Sequence, residues 1–225
     1  LMLAESWYQQ GDYSKSLEYY NIVTENSNRK LARAVEFKIA FCMMKTNDFE
    51  GAIDHFSKVT DSNDELGQYG SYYMAQCYTN TKQDKFARNT FFKAYKMNFN
   101  DSISENALLN YAILSFIPGI DPFNETVNVL NEYIKNNPNS IHAEELQDIC
   151  VHILLKSNDY NAALECMEQY PDLSPELKKI QSELTYSAGM QQYKEGAYSE
   201  ALNYFKKSSQ VEALFWTADT YYLLK

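Results

Sequence analysis

The chain has 225 residues, with 30 acidic against 20 basic side chains and a formal net charge of −10, a balance that excludes a generic binder of nucleic acid or other polyanions. An aromatic content of 15%, with 19 Tyr and 12 Phe, is too rich for disorder and can furnish a large core. Only 7 Gly and 5 Pro interrupt it, so long helices are expected. No stretch approaches the roughly 20 apolar residues needed to cross a bilayer, so no direct membrane insertion is expected. The opening Leu1-Met2-Leu3-Ala4 has neither a basic region nor a cleavage site, so any targeting signal is expected to lie outside this piece.

A small residue within a helical run recurs at Ser16, Ala52, Ala87, Thr126, Ala163 and Ala201, at spacings of 36, 35, 39, 37 and 38. Four residues after each stands a large side chain, so every copy presents a small hole beside a large knob on one helix face. Along the chain, the first repeat (1–25) carries Ala4 on a leading helix, Gly11 at a turn, Asp12 as a helix cap, Tyr13, Ser16 and the knob Tyr20. The second (28–60) repeats this with Ala40, Asn47, Asp48, Phe49, Ala52 and Phe56. In the third (64–98), Ala75, Ala87 and Phe91 are kept, while Lys82 replaces the turn former and Asp84 the aromatic. The fourth (101–137) opens with a Ser102…Glu105 capping-box pattern, has Ala112, and reaches Thr126 and Leu130 through an enlarged turn, Ile117-Pro118-Gly119-Ile120-Asp121-Pro122-Phe123. Val151, Asn158, Asp159, Tyr160, Ala163 and Met167 mark the fifth (140–170). The sixth (174–208) starts on Ser174-Pro175, a cap before a first-turn proline, and continues with Gly189, Gly196, Tyr198, Ala201 and Phe205. A partial seventh (210–225) offers Ala218.

Gly and Asn at the turns tolerate the left-handed backbone that ends a helix, and Asp just after them starts the next one. A single helical hairpin cannot cover its own apolar face, so stacking on its neighbour supplies the core and the chain becomes a solenoid. Both ends cut across a repeat. The expectation is one continuous array over 1–225, excised from a longer repeat protein.

Gly11-Asp12-Tyr13-Ser14-Lys15-Ser16-Leu17-Glu18-Tyr19-Tyr20 and Gly196-Ala197-Tyr198-Ser199-Glu200-Ala201-Leu202-Asn203-Tyr204-Phe205 resemble the tetratricopeptide repeat (TPR) pattern G-x-Y-x-x-A-L-x-x-Y/F, and the resemblance covers the whole chain. The third and fourth repeats depart from it, and the units exceed the family's usual length of roughly 34 residues. The resemblance implies an all-α fold, a right-handed α-α superhelix of about six helical-hairpin repeats plus one extra helix. It implies a non-catalytic scaffold that binds a peptide or helix of a partner protein in a concave groove, with no cofactor. The abundance of Tyr, Asn and Lys looks like large repeat proteins of Bacteroidetes-type bacteria, which points to a periplasmic or cell-envelope parent over a cytoplasmic one.

Carried over from the family, the groove positions in the front half are Phe37, Phe41 and Met44, then Tyr72, Gln76 and Thr79, then Leu109, Ile113 and Phe116. Those in the rear half are Asp148, His152 and Leu155, then Tyr186, Met190 and Tyr193, then Phe215, Asp219 and Tyr222, with Glu145, Glu183 and Glu212 one turn earlier. Aromatic rings give large contact area at little rotamer cost, and the acidic rear favours a basic or aromatic partner. Aromatics at helical spacing also fill inter-helix cores, and that reading stands beside the groove. Groove positions that would carry cations in a carboxylate-capturing TPR module here include Glu5, Phe37, Phe41, Tyr69 and Tyr73, so no cationic clamp is expected. The alternatives are a glycan-binding or outer-membrane assembly or secretion accessory protein of the bacterial envelope, and a regulatory array for an enzyme encoded outside these residues. Exposed end repeats make a homo-oligomer possible.

No nucleotide-binding glycine loop, nucleophile elbow or zinc-protease motif occurs, and no metal-ligand spacing relates His55, His142 and His152 to the cysteines. His55 reads as a partly exposed structural residue, His142 as solvated, and His152 as groove-facing near Asp148. Cys42, Cys77, Cys150 and Cys166 include no C-x-x-C and read as buried structural thiols; Cys42 and Cys77 occupy equivalent places in successive repeats and are expected to stay unbridged.

Overall fold

The turn residues at fixed offsets are those whose backbone must run left-handed, and in the computed structural model they do. Gly11, Asn47, Lys82, Asn158 and Gly196 have φ of 78°, 65°, 58°, 60° and 80°. After each, the next backbone N–H reaches back to close the preceding helix: Asp12 to Trp7 (3.1 Å), Asp48 to Met43 (2.9 Å), Gln83 to Tyr78 (2.8 Å), Asp159 to Leu154 (3.0 Å) and Ala197 to Gln192 (2.9 Å). The same residue then begins the following helix. Asp12, Asp48 and Asp159 accept from the N–H of Lys15, Gly51 and Ala162, whereas Gln83 and Ala197 make no side-chain cap bond.

These signals leave thirteen helices and no strand among the described residues, which are 1–25, 31–117, 123–170 and 173–225. They are α1 (Met2–Gln9), α2 (Tyr13–Glu25), α3 (Arg33–Lys45), α4 (Phe49–Ser57), α5 (Glu65–Asn80), α6 (Asp84–Met97), α7 (Asp101–Ser115), α8 (Phe123–Asn136), α9 (Ala143–Lys156), α10 (Tyr160–Glu168), α11 (Pro175–Lys194), α12 (Tyr198–Lys207) and α13 (Val211–Leu223). None is long and apolar enough to cross a membrane. The chain forms two compact units, 1–121 and 122–225. In the first, α1 to α7 pack serially, and α5 also lies against α3 and α7. In the second, α8 to α13 pack serially. Each unit is thus a run of stacked helical hairpins, the α-α solenoid arrangement.

Hole and knob explain the stacking. Ser16, Ala52, Ala87, Thr126, Ala163 and Ala201 are all 0% exposed, and their knobs Tyr20, Phe56, Phe91, Leu130, Met167 and Phe205 are at most 1% exposed. Burying each knob contributes about 1.5–3 kcal/mol. On the leading helices Ala4, Ala40, Ala75, Ala112 and Val151 are equally buried. Two helices meet closely at Gly189, where an added Cβ would stand 2.7 Å from two ring carbons of Phe205. Only a missing side chain lets α11 and α12 meet this tightly.

Polar clasps fix the links between hairpins. Gln68, fully buried on α5, accepts from the backbone N–H of Phe99 (3.2 Å) and Asn100 (2.8 Å) and donates to Ala94 O, Asn100 O and Ser104 Oγ. Ser182 on α11 holds the α12–α13 link in a similar way, accepting from the N–H of Ser209 at 2.8 Å. Arg33 at the start of α3 grips Asp64 through two bonds of 2.7 and 3.0 Å and the carbonyl of Val59 at 2.7 Å. That carboxylate also caps α5 at Gly67 N–H (2.8 Å).

Three expectations need correction. Ser102 lies inside α7, whose cap is Asn100, accepting from Ile103 N–H at 3.1 Å, because the chain turns helical one residue before Ser102. Ala218 is exposed, and the buried small residues of α13 are Ala213 and Thr220, so the packed face of the helix lies away from Ala218. His142 is not solvated. It precedes α9 with a side chain 19% exposed and an Nδ1 3.7 Å from Glu145. Residues 118–122 of the enlarged turn expected in the fourth repeat, Asp121 among them, lie outside the described residues.

Candidate functional site

Aromatic residues one helical turn apart on a leading helix can touch the next leading helix only if the hairpins stack in register, and in the first unit they do. Tyr8 on α1 meets Phe41 on α3 (centroids 5.9 Å apart), Phe41 meets Tyr73 on α5 (5.1 Å), and Tyr72 meets Phe91 on α6 (5.7 Å). Tyr13 joins Phe41 at 5.6 Å, Phe37 joins Tyr73 at 6.1 Å, and Tyr69 stacks on Tyr73 at 6.5 Å. Most of these pairs meet edge to face, the geometry that a ring quadrupole favours. The result is a ladder of rings along the seam of α1, α3 and α5, half-buried rather than hidden.

The hydroxyls of Tyr8, Tyr13, Tyr69, Tyr72 and Tyr73 have no hydrogen-bond partner among the described residues, and none is a sealed-off polar atom. Each therefore keeps its bonding capacity at the surface. Burial pushes the Tyr8 and Tyr73 hydroxyls up from their ordinary pKa, so they remain neutral donors. Glu5, at the edge of the ladder, is engaged by Lys38 and by Tyr20 Oη. It is a structural contact between α1, α2 and α3.

Of the groove positions named from sequence, Phe37, Phe41, Tyr72, Gln76 and Leu109 are half-buried, and Ile113 is exposed. Met44 is a correction. At 8% exposed it packs with Ala40, Ala52, Phe56, Met74 and Cys77, because its turn of α3 rotates toward α4 and α5. Tyr13, Tyr69 and Tyr73 belong to the ladder without having been assigned to it as a set, although their spacing from Phe41 and Tyr72 carries the signal.

In the second unit, Tyr186 and Met190 pack half-buried on the cluster of Ala201, Phe205 and Ala213. Tyr193 donates its hydroxyl to Asp219, which pushes its pKa up to about 12. Its ring meets Trp216 at 5.0 Å. Trp216 was missed because the α13 register was set from Ala218; Phe215 and Tyr222, chosen by that register, stand 65% and 76% exposed. On α9, His152 and Asp148 are both half-buried, but the imidazole Nδ1 bonds the backbone carbonyl of Asp148 at 2.7 Å rather than its carboxylate. Burial raises the Asp148 carboxyl, with Glu144 and Glu176 pushing the same way and His152 and Ser174 opposing.

His55 lies across α3 and α4 with its Nδ1 2.5 Å from buried Glu36, which Lys58 also approaches at 3.3 Å. All four cysteines are buried and free. Among the described residues no group of three or more His, Cys, Asp or Glu could hold a metal ion. A cleft of about 870 Å³ beside α8 and α9, lined among others by Asn131, Lys135, Ser140, Glu144 and Tyr170, has no counterpart in the sequence reading.

Neither a family model nor a curated protein sequence matches the chain. Solved structures do. The C-terminal part of a TPR repeat-containing protein from Cytophaga hutchinsonii is similar with a TM-score of 0.54 at 10% identity, covering 96% of this chain and 78% of that one. Nearly identical TPR-like repeats from Podosopora anserina give a TM-score of 0.52 at 14% identity, covering 81% and 92%. At such identities the likeness is one of fold: the chain has the α-α solenoid fold of TPR proteins.

Proposed function

We propose that the chain is a non-catalytic interaction scaffold that holds an extended peptide or a helix of a partner protein against the aromatic ladder of the first unit. The observation that carries this reading is the combination of half-buried rings with unengaged hydroxyls on Tyr8, Tyr13, Tyr69, Tyr72 and Tyr73. A core tyrosine ordinarily spends its hydroxyl on a neighbour, as Tyr20 does on Glu5. Rings fixed by their neighbours, with donors turned outward, lose little entropy on meeting a ligand. Phe37, Phe41, Tyr72, Leu109 and Ile113 would supply the apolar contact, and Gln76 an amide donor and acceptor. In the second unit Asp148, His152, Tyr186, Met190, Tyr193 and Asp219 would offer an acidic and aromatic surface suited to basic side chains. Glu145, Glu183 and Glu212, one turn before these positions, favour the same partner chemistry.

Selection from a random peptide library displayed on phage tests the reading. Enriched peptides should combine apolar or aromatic residues with Lys or Arg, and isothermal titration should show binding that weakens as salt rises. Tyr69→Phe and Tyr73→Phe keep the rings and remove only the hydroxyls. Each should weaken a selected peptide by roughly threefold to tenfold while leaving the circular dichroism unchanged. Unchanged affinity in both variants, or selected peptides that protect a different surface in hydrogen exchange, would overturn the assignment. A glycan array supplies the rival outcome, since specific sugar binding at the same rings would replace a peptide partner.

A further inference from the structure

Cys150 on α9 and Cys166 on α10 are 16 residues apart in sequence, and the hairpin brings their sulfurs to 3.6 Å. Both are buried, at 0% and 3% exposed. They share an acceptor: Asn131 Oδ1 on α8 faces Cys150 Sγ at 3.4 Å and Cys166 Sγ at 3.9 Å, and takes the Tyr170 hydroxyl at 3.0 Å. Asn131 and Tyr170 also line the 870 Å³ cleft. The thiols therefore sit directly behind two residues that a small molecule in the cleft would touch. Cys42 and Cys77 differ: each packs in a separate apolar cluster of the first unit that holds no second cysteine.

We propose that Cys150 and Cys166 form a peroxide-oxidisable dithiol, a modification site that closes to a disulfide across the α9–α10 hairpin. Closure needs the sulfurs to approach from 3.6 Å to about 2.05 Å, a movement that side-chain rotation and a small helix shift can supply. The oxidant is hydrogen peroxide or another small hydroperoxide, entering through the cleft. Cys166 is the attacking thiol. Its pKa is drawn down, against burial, because the Cys150 thiol and the Tyr170 hydroxyl can donate to its thiolate, while Cys166 and then burial push Cys150 up. Burial drives Cys42 and Cys77 upward, against a hydrogen bond from Ser16 at Cys42 and with the help of Glu50 at Cys77, which reaches about 12, and leaves them unreactive thiols.

The Cys166 thiolate attacks one peroxide oxygen, the O–O bond breaks, and the departing hydroxide takes up a proton as water, leaving a sulfenic acid. Cys150 then gives up its proton and its sulfur attacks the sulfenic sulfur, expelling a second hydroxide that leaves as water. Two thiols and one hydrogen peroxide thus become one disulfide and two waters. The disulfide withdraws both S–H donors from Asn131 and ties together the hairpin whose α9 carries Asp148 and His152.

The test treats the native full chain with hydrogen peroxide, quenches it, alkylates it in denaturant and maps the peptides by mass spectrometry. The expected result is a linked pair of peptides containing Cys150 and Cys166, short of two hydrogen atoms and restored by dithiothreitol, with Cys42 and Cys77 fully alkylated. In Cys150→Ala, Cys166 should stop at a sulfenic acid trapped by dimedone; in Cys166→Ala, oxidation at Cys150 should slow by at least about tenfold. Wild-type mapping keeps the proposal testable if a variant fails to fold. All four cysteines remaining alkylatable, oxidation appearing first at Cys42 or Cys77, or a sulfinic acid with no linked peptide would each overturn it.

Discussion

Gln68 offers the sharpest test of how the first unit is held together. Replacing it with Leu keeps the approximate volume and removes five hydrogen bonds, two of them to the backbone N–H groups of Phe99 and Asn100. Each buried donor left without a partner costs about 1–3 kcal/mol, and the apolar side chain recovers about 1–2 kcal/mol of transfer free energy. The carbonyls of Ala94 and Asn100 lose a donor as well, so the net destabilisation is expected at about 2–3 kcal/mol. Urea unfolding followed by Trp7 fluorescence, in a Trp216→Phe background that silences the second unit, reads this directly, because the chain has only 2 Trp. Hydrogen exchange supplies the local readout: the amides of Phe99 and Asn100 should be protected in the parent and exchange at least about tenfold faster in the variant. Unprotected amides in the parent, or a variant as stable as the parent, would refute the clasp.

Lys82 holds φ 58° in a turn where Gly11 and Gly196 sit at 78° and 80°. Lys82→Gly should therefore raise stability by about 1 kcal/mol in the same urea assay, since a side chain is strained in that region and glycine is not. The Asp64 carboxyl is held down at about 2 by Arg33 and the Gly67 N–H, against about 3.9 in an unfolded chain. Its contribution is complete above pH of about 4 and is lost as the pH falls toward about 2; Asp64→Asn keeps the cap and should flatten that acid limb in a pH series of thermal unfolding. Leu214, Phe215 and Tyr222 are 74%, 65% and 76% exposed on α13. Light scattering should show mass rising with concentration, and Leu214→Ser with Phe215→Ser should abolish the rise.

Much of the hairpin architecture was legible because its causes are local. A left-handed turn residue, an Asp one position later and a small residue with a knob four positions on each act within one or two helical turns, so their order along the chain is their order in space. That is why Lys82 could be located as a turn residue in spite of its poor chemistry, and why all six knobs are buried. Asn100 displaced Ser102 as a cap because both residues suit the role, and only the backbone decides where the helix begins.

The sequence by itself therefore determined the all-helical repeat, the place of the turns at Gly11, Asn47, Lys82, Asn158 and Gly196, and which small and large side chains are buried. Only the tertiary structure decided how each helix is rotated about its axis, and that rotation is set by packing against neighbours rather than by local preference. It buried Met44, turned Tyr8, Tyr13, Tyr69 and Tyr73 into one ladder with Phe37, Phe41 and Tyr72, and moved the α13 contact from Phe215 to Trp216. It also set Gln68 across a hairpin link and placed Cys150 beside Cys166. Such contacts join residues with no fixed spacing, so no repeat along the chain announces them.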